Sequence, residues 1–238
     1  MGSTDERIQL KIDLLRFSYE QKLAHIPSAL SMFDYVYDLF VNKLVTPDDK
    51  LIIGKPFGCQ TYYIIWKHLG YLDRIDNLSV ALKHDEVPWV TLAEETMGNS
   101  LGIAAGVALT TDKLVWVNLT DATLQMGATA EAIQFIGHNR LKNVLVTIDY
   151  NGCQVTGRTA DIMPTDPVVE LFKSCGWEVF HDLNNFAIGD KPRVFVIHTQ
   201  KGSGIPTMSD NIKKWHYRTI ADQQELELLE KELLENDR

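Results

Sequence analysis

Val115-Trp-Val-Asn-Leu-Thr-Asp121-Ala-Thr-Leu-Gln-Met-Gly127 and Val144-Leu-Val-Thr-Ile-Asp-Tyr-Asn151-Gly-Cys153 decide the fold. Each begins as an apolar run and ends on a hard oxygen ligand, Asp121 in the first and Asn151 in the second. Residues 129–141 between them have helical character, so the segment predicts strand–helix–strand. Open α/β sheets bind ligands at the carboxyl ends of their strands. A carboxylate, an amide oxygen and a nearby backbone carbonyl suit Mg²⁺, which takes octahedral oxygen coordination and shares it with phosphates. Taken singly, Asp121 fits a helix N-cap and Asn151 a turn residue beside Gly152. Their joint placement favours the metal.

Working outward, strands are predicted at about 114–119, 144–149, 177–180 and 193–198, with helices at 129–141 and 167–175 suited to crossovers. This alternation predicts an α/β fold with a mostly parallel sheet flanked by helices. Toward the N-terminus, residues 5–23 form an amphipathic pattern. Ser31-Met-Phe-Asp34 offers a capping box that opens a second helix through Phe40. Leu51-Ile-Ile-Gly leads into a loop at Lys55-Pro-Phe-Gly58, and a further helix runs to Tyr71. Gly98–Leu109 is rich in small residues, and Ala221–Glu235 is a charged terminal helix. No linker breaks the chain, so residues 1–238 are expected to form a single domain.

The 238 residues are 45% hydrophobic and 23% charged, with net charge −9. That balance, without a Lys/Arg-dense stripe, argues against nucleic-acid binding. No apolar run approaches the ~20 residues of a membrane span. The first 25 residues are polar and charged, unlike a signal peptide. Three scattered cysteines lack metal spacing and are expected to be reduced, which points to the cytoplasm.

The two strand-end motifs resemble those of transketolase-type thiamine diphosphate enzymes. The family's Gly-Asp-Gly-Glu-Leu-Gln-Glu-Gly is similar to Thr120-Asp-Ala-Thr-Leu-Gln-Met-Gly127, with Glu131-Ala132 after it. Its Asp-x-Asn-Gly-x-x-x-x-Gly is similar to Asp149-Tyr-Asn-Gly-Cys-Gln-Val-Thr-Gly157. In order along the chain, Ala24-His25 through Asp34, His84-Asp-Glu86, Glu94 through Gly106, Lys201-Gly-Ser-Gly204 and Lys214-Trp-His216 fall on further motifs of that family. The resemblance implies a thiamine diphosphate-binding fold. It implies that Asp121, Asn151 and the Cys153 carbonyl hold Mg²⁺, and that Asp121, Ala122, Asn151 and Gly98 bind the cofactor. It places His25, His84 and His216 as catalytic acid/base groups, since histidine titrates near working pH. Each histidine, taken alone, reads more readily as a hydrogen-bonded core or loop residue, and it is the motif context that favours function.

Departures are informative. Phe57 stands at the family's loop histidine, Thr120 and Ala122 replace glycines, Met126 replaces a glutamate, and Glu94-Glu95 replace Thr-Gly. The metal motif is kept while the substrate pocket is changed. The family's pyrimidine-binding domain has no counterpart here. A split enzyme is therefore expected, with a second polypeptide carrying that domain in a heterotetramer of two plus two. The resemblance implies a transferase moving a two-carbon ketol or acyl unit. A 2-oxo-acid decarboxylase or synthase component, and a non-catalytic scaffold, are the alternatives. Glu94 and Glu95 have no assigned role, and Glu131 fits either a subunit contact or a surface charge.

Overall fold

The computed structural model describes residues 4–76, 78–83 and 86–236. In chain order its elements are α1 (Thr4–Glu20), α2 (Ile26–Val41), β1 (Lys50–Ile53), α3 (Gln60–His68), β2 (Val90–Ala93), α4 (Ser100–Ala108) and β3 (Val115–Thr120). A 3₁₀ turn (Asp121–Gln125) follows, then α5 (Gly127–His138), β4 (Val144–Tyr150), α6 (Thr159–Ile162), α7 (Asp166–Ser174), β5 (Glu178–Phe180) and β6 (Arg193–His198). The chain ends in α8 (Pro206–Ser209), α9 (Ile212–Trp215) and α10 (Gln223–Asn236). Two compact units result: Met1–Leu44, Phe57–Leu82 and Thr199–Arg238 form one; Val45–Pro56 and Lys83–His198 form the other.

The second unit carries a six-stranded sheet in the order β2-β1-β3-β4-β6-β5, and every pairing is parallel. β3 is buried along its whole length and β4 up to Ile148 and Asp149, as expected of central parallel strands covered on both faces. One face of the sheet, with Val117, Leu119, Val146, Ile148 and Val194, packs against Leu101 and Ala105 of α4, Ile133 and Ile136 of α5, and Phe172 of α7. The other face holds a buried polar ladder, in which Trp116 Nε1 donates to Thr147 Oγ1 (3.0 Å) and Thr147 Oγ1 donates to Asn118 Oδ1 (2.9 Å). The predicted α/β architecture and parallel sheet are present.

Strands β1 and β2 are absent from the sequence expectation. Each has four residues, too few to show a period. Their positions set the topology. From β1 the chain moves outward to β2, returns past β1 to β3, and then runs the other way to β4. The strand order therefore reverses between β1 and β3. A crevice outside the carboxyl ends at such a reversal is where open α/β sheets take ligands.

The first unit is helical. α2 does not begin at the capping box expected at Ser31. It begins at Ile26, because Pro27 fits the first helical turn, where its missing N–H costs nothing. His25 precedes it with φ 59°, ψ 23°, a left-handed conformation unusual for a residue with a Cβ. Its carbonyl accepts the first helical bonds from Ser28 N (3.0 Å) and Ala29 N (3.1 Å).

Candidate functional site

The residues flagged by sequence fall into two clusters, one in each unit. The first lies at the carboxyl edge of β1, β3 and β4. Thr120 pairs with Asp149 across the sheet, so the residues that leave these strands emerge side by side. Asp121 is fully buried. Its Oδ1 accepts from Ala122 N (2.8 Å) and Thr120 Oγ1 (3.1 Å), and its Oδ2 accepts from Gly152 N (2.6 Å). The Asn151-Gly152-Cys153 turn is thus drawn onto the Asp121 carboxylate. Asn151 is held at both ends of its amide: Nδ2 donates to Asp149 Oδ2 (2.8 Å) and Oδ1 accepts from Cys153 N (3.0 Å). Gly152 has φ +69°, which suits a residue without a Cβ.

Burial pushes the Asp121 carboxyl up to about 6; the Gly152 N–H pulls it down, and the nearby charge of Asp149 raises it further. A buried carboxylate whose own charge is costly is a natural place for a divalent cation, which removes that cost. Among the described residues no group of three His, Cys, Asp or Glu side chains could hold a metal. A cation here would draw instead on Asp121, amide and backbone oxygens, and the oxygens of a phosphate. That donor set is the hard-oxygen kind Mg²⁺ prefers. Thr123 Oγ1, in the same 3₁₀ turn, is buried without a hydrogen-bond partner, a polar atom left over for an incoming ligand. The residues present fit a metal-bridged diphosphate.

Lys55 was not anticipated at this edge. It follows β1, is 4% exposed, and forms an ion pair through its Nζ with Asp149 Oδ2. It reaches Asp149 because Gly54 lets β1 exit tightly; a Cβ there would overlap Ser100 Oγ. Lysine is seldom fully buried, and nothing in the sequence around Gly54-Lys55-Pro56 signals the partner. Gly98 is buried with φ +126°, its carbonyl accepting from Thr129 Oγ1 (3.3 Å). Glu94, unassigned from sequence, acts as an external cap of α4: its carboxylate accepts from Asn99 N (2.9 Å) and Ser100 N (2.8 Å). Glu95 and Glu131 are exposed.

The second cluster lies at the N-terminus of α2. The His25 ring stacks on Phe57 (centroids 4.5 Å, 25° between planes) and meets His216 (4.7 Å, 79°) and Tyr217 (5.3 Å, 80°) edge-on. Phe57 is held there by the next residue. Gly58 has φ +91°, and a Cβ on it would come within 2.7 Å of Ala29 N. The Lys201–Gly204 loop is tied to the same helix by Gly202 N donating to Pro27 O (3.0 Å). Lys201 Nζ lies 3.3 Å from His216 Nδ1, and both residues are buried. Burial first, and then the Lys201 charge, push His216 down to about 4. Structure thus brings His25 and His216 together. His84 lies outside the described residues.

Residues 90–216 match the family described as transketolase, thiamine diphosphate binding domain, which is more than half of the chain. The chain belongs to the transketolase family. Among its relatives is a protein of Phocaeicola vulgatus named as one of the subunits of apulose-4-phosphate transketolase. The two are 26% identical over 238 residues, covering 86% of this chain and 84% of that one. The chain is 24% identical over 182 residues to a Clostridium 6-deoxy-6-sulfo-D-fructose transketolase subunit, covering 66% of each. A crystal structure of transketolase from Campylobacter jejuni superposes with a TM-score of 0.72 at 17% identity, covering 100% of this chain and 44% of that one. That likeness establishes the shared fold. This transketolase-family chain therefore spans most of relatives named as subunits and less than half of the longer protein.

Proposed function

We propose that this chain is the diphosphate-binding subunit of a thiamine diphosphate- and Mg²⁺-dependent transketolase. It would move a two-carbon ketol or acyl unit onto a sugar or specialised-metabolite acceptor. The observation that carries the reading is the Gly152 N–H bond to Asp121, which closes the Asn151–Cys153 turn over a buried carboxylate. Asp121, the Asn151 amide oxygen and the Cys153 carbonyl would hold Mg²⁺, with the Ala122 and Gly98 backbone beside the cofactor. Thiamine diphosphate, when bound, supplies the centre that stabilises the carbanion equivalent. His25, His84 and His216 are the proton-handling and hydrogen-bonding groups of this proposal.

Activity would require a second polypeptide with the pyrimidine-binding domain, in a cytoplasmic assembly of two plus two. Two relatives named as transketolase subunits carry apulose-4-phosphate and 6-deoxy-6-sulfo-D-fructose in their names. Together with Phe57 at a position where the family has histidine, they support a sugar substrate other than the common xylulose and ribose phosphates. Calorimetric titration of the chain, with and without candidate partner subunits, tests the reading. Thiamine diphosphate should bind only with Mg²⁺ present, and chelation should release it. Binding unchanged by chelator, or no binding with any partner, would refute it.

A further inference from the structure

Lys201 and His216 sit 15 residues apart in sequence and meet as a buried pair, Nζ to Nδ1 at 3.3 Å. An ammonium has three donors and no acceptor. The contact therefore has one polarity: Lys201 donates and His216 Nδ1 accepts. A neutral imidazole that accepts at Nδ1 carries its proton on Nε2. We propose that Lys201 is a positioning residue that locks His216 as the uncharged Nε2–H tautomer, so that His216 presents a hydrogen-bond donor and not a base.

Two features make the lock rigid. Gly202, next to Lys201, has φ +77°, and a Cβ on it would lie 3.0 Å from Met208 Cβ and from Ser209 N, which fixes the loop against α8. Trp215 before His216 is 1% exposed and lies under the Arg218 guanidinium, 4.4 Å from its carbon to the ring centroid. The other titratable groups whose rings contact His216, among the described residues, are His25 and Tyr217, both edge-on. Neither supplies an anion that would favour imidazolium. The low proton affinity of His216 agrees with this arrangement. A ring that stays neutral with a fixed N–H serves an anionic or hydroxyl oxygen of a ligand. It cannot also take a proton at Nδ1 while Lys201 occupies it. That use of the donor rests on the function proposed above; the tautomer itself does not.

Long-range ¹⁵N–¹H correlation spectra of the ¹⁵N-histidine-labelled full chain would read the tautomer directly, with His216→Gln identifying the resonances. The expected result near neutral pH is a single neutral form with the proton on Nε2. In Lys201→Met the ring should become a mixture of tautomers and titrate at higher pH; Lys201→Arg should restore the Nε2–H form. A wild-type spectrum showing Nδ1–H or imidazolium would overturn the proposal whether or not the variants fold. So would a Lys201→Met spectrum identical to wild type. If the tautomer is as expected and thiamine diphosphate never binds, the proposed function fails and the lock stands.

Discussion

The acidic edge of the sheet and the histidine cluster are built by opposite routes. At the edge, Asp121 leaves β3, Asn151 leaves β4, and the parallel register delivers them side by side. In the cluster, residues 25, 57, 201 and 216–217 come from segments with no shared period, and close backbone approaches at Gly58 and Gly202 place them. A side chain at a strand end inherits its position from the sheet. One on a loop depends on contacts that sequence does not display. Lys55 is the exception at the edge, since its charge arrives from β1.

The largest effect should come from that exception. Lys55→Met leaves Asp149 buried beside Asp121 without its ammonium, and removing one partner of a buried pair costs about 3–5 kcal/mol. Urea denaturation should show a loss of that size, and the double variant Lys55→Met/Asp149→Leu should recover much of it. A loss under about 1 kcal/mol would mean that the edge is set by β3 and β4 alone.

Next is Asp121→Ala, which tests the part that the register builds. Thiamine diphosphate affinity at saturating Mg²⁺ should fall roughly 100-fold or more, about 3 kcal/mol. Asn151→Ala removes a neutral ligand and should cost about tenfold. Cys153→Ser should leave binding unchanged, because the Asn151 contact is made by its backbone N–H. Equal affinity of the Asp121→Ala and wild-type chains would remove the metal from this edge.

Sequence displayed the β3–α5–β4 unit because its strands are buried on both faces and its motif residues stand at their ends. It did not display β1 and β2, which are short, nor the strand order that makes the crevice. Asp121 and Asn151 were legible as a pair; the ion pair of Lys55 with Asp149 was not, because it depends on β1 lying beside β3. His25 and His216 were legible only through motif resemblance. Nothing in their spacing announces that the rings touch or that Lys201 stands behind one of them. The start of α2 is hidden in the sequence because Ser31 looks like a cap, while Pro27 sets the true first turn.

Acid titration separates the regions by sign. His216 has an ordinary value of 6.5 and is held near 4 when folded. As pH falls from 6.5 to 4 the unfolded chain takes that proton and the folded chain does not, so stability is lost, on the order of 2 kcal/mol once screening by solvent is taken off the full shift. Asp121 moves the other way, from 3.8 to about 6. Its folded form binds the proton more tightly, so the stability it contributes at low pH is lost as pH rises through 6. Without metal, His216→Gln should flatten the acid-side loss and Asp121→Asn should deepen it. Two variants with the same slope as wild type would show that neither environment differs from water.

The smallest effect on stability, and the most specific effect on function, should come from Phe57→His. Phe57 is 36% exposed, and an imidazole keeps a flat ring against His25, so unfolding free energy should change by less than about 1 kcal/mol. The histidine cluster would then gain a donor and a titratable group where it now has neither. If Phe57 is what turns the site away from ordinary sugar phosphates, the variant paired with its partner subunit should gain turnover of xylulose and ribose phosphates while losing the native substrate. The loss should fall mainly on KM, because the changed ring alters recognition and leaves the Asp121 edge untouched. Efficient use of those phosphates by the wild-type pair, with no gain in the variant, would show that this cluster does not select the sugar.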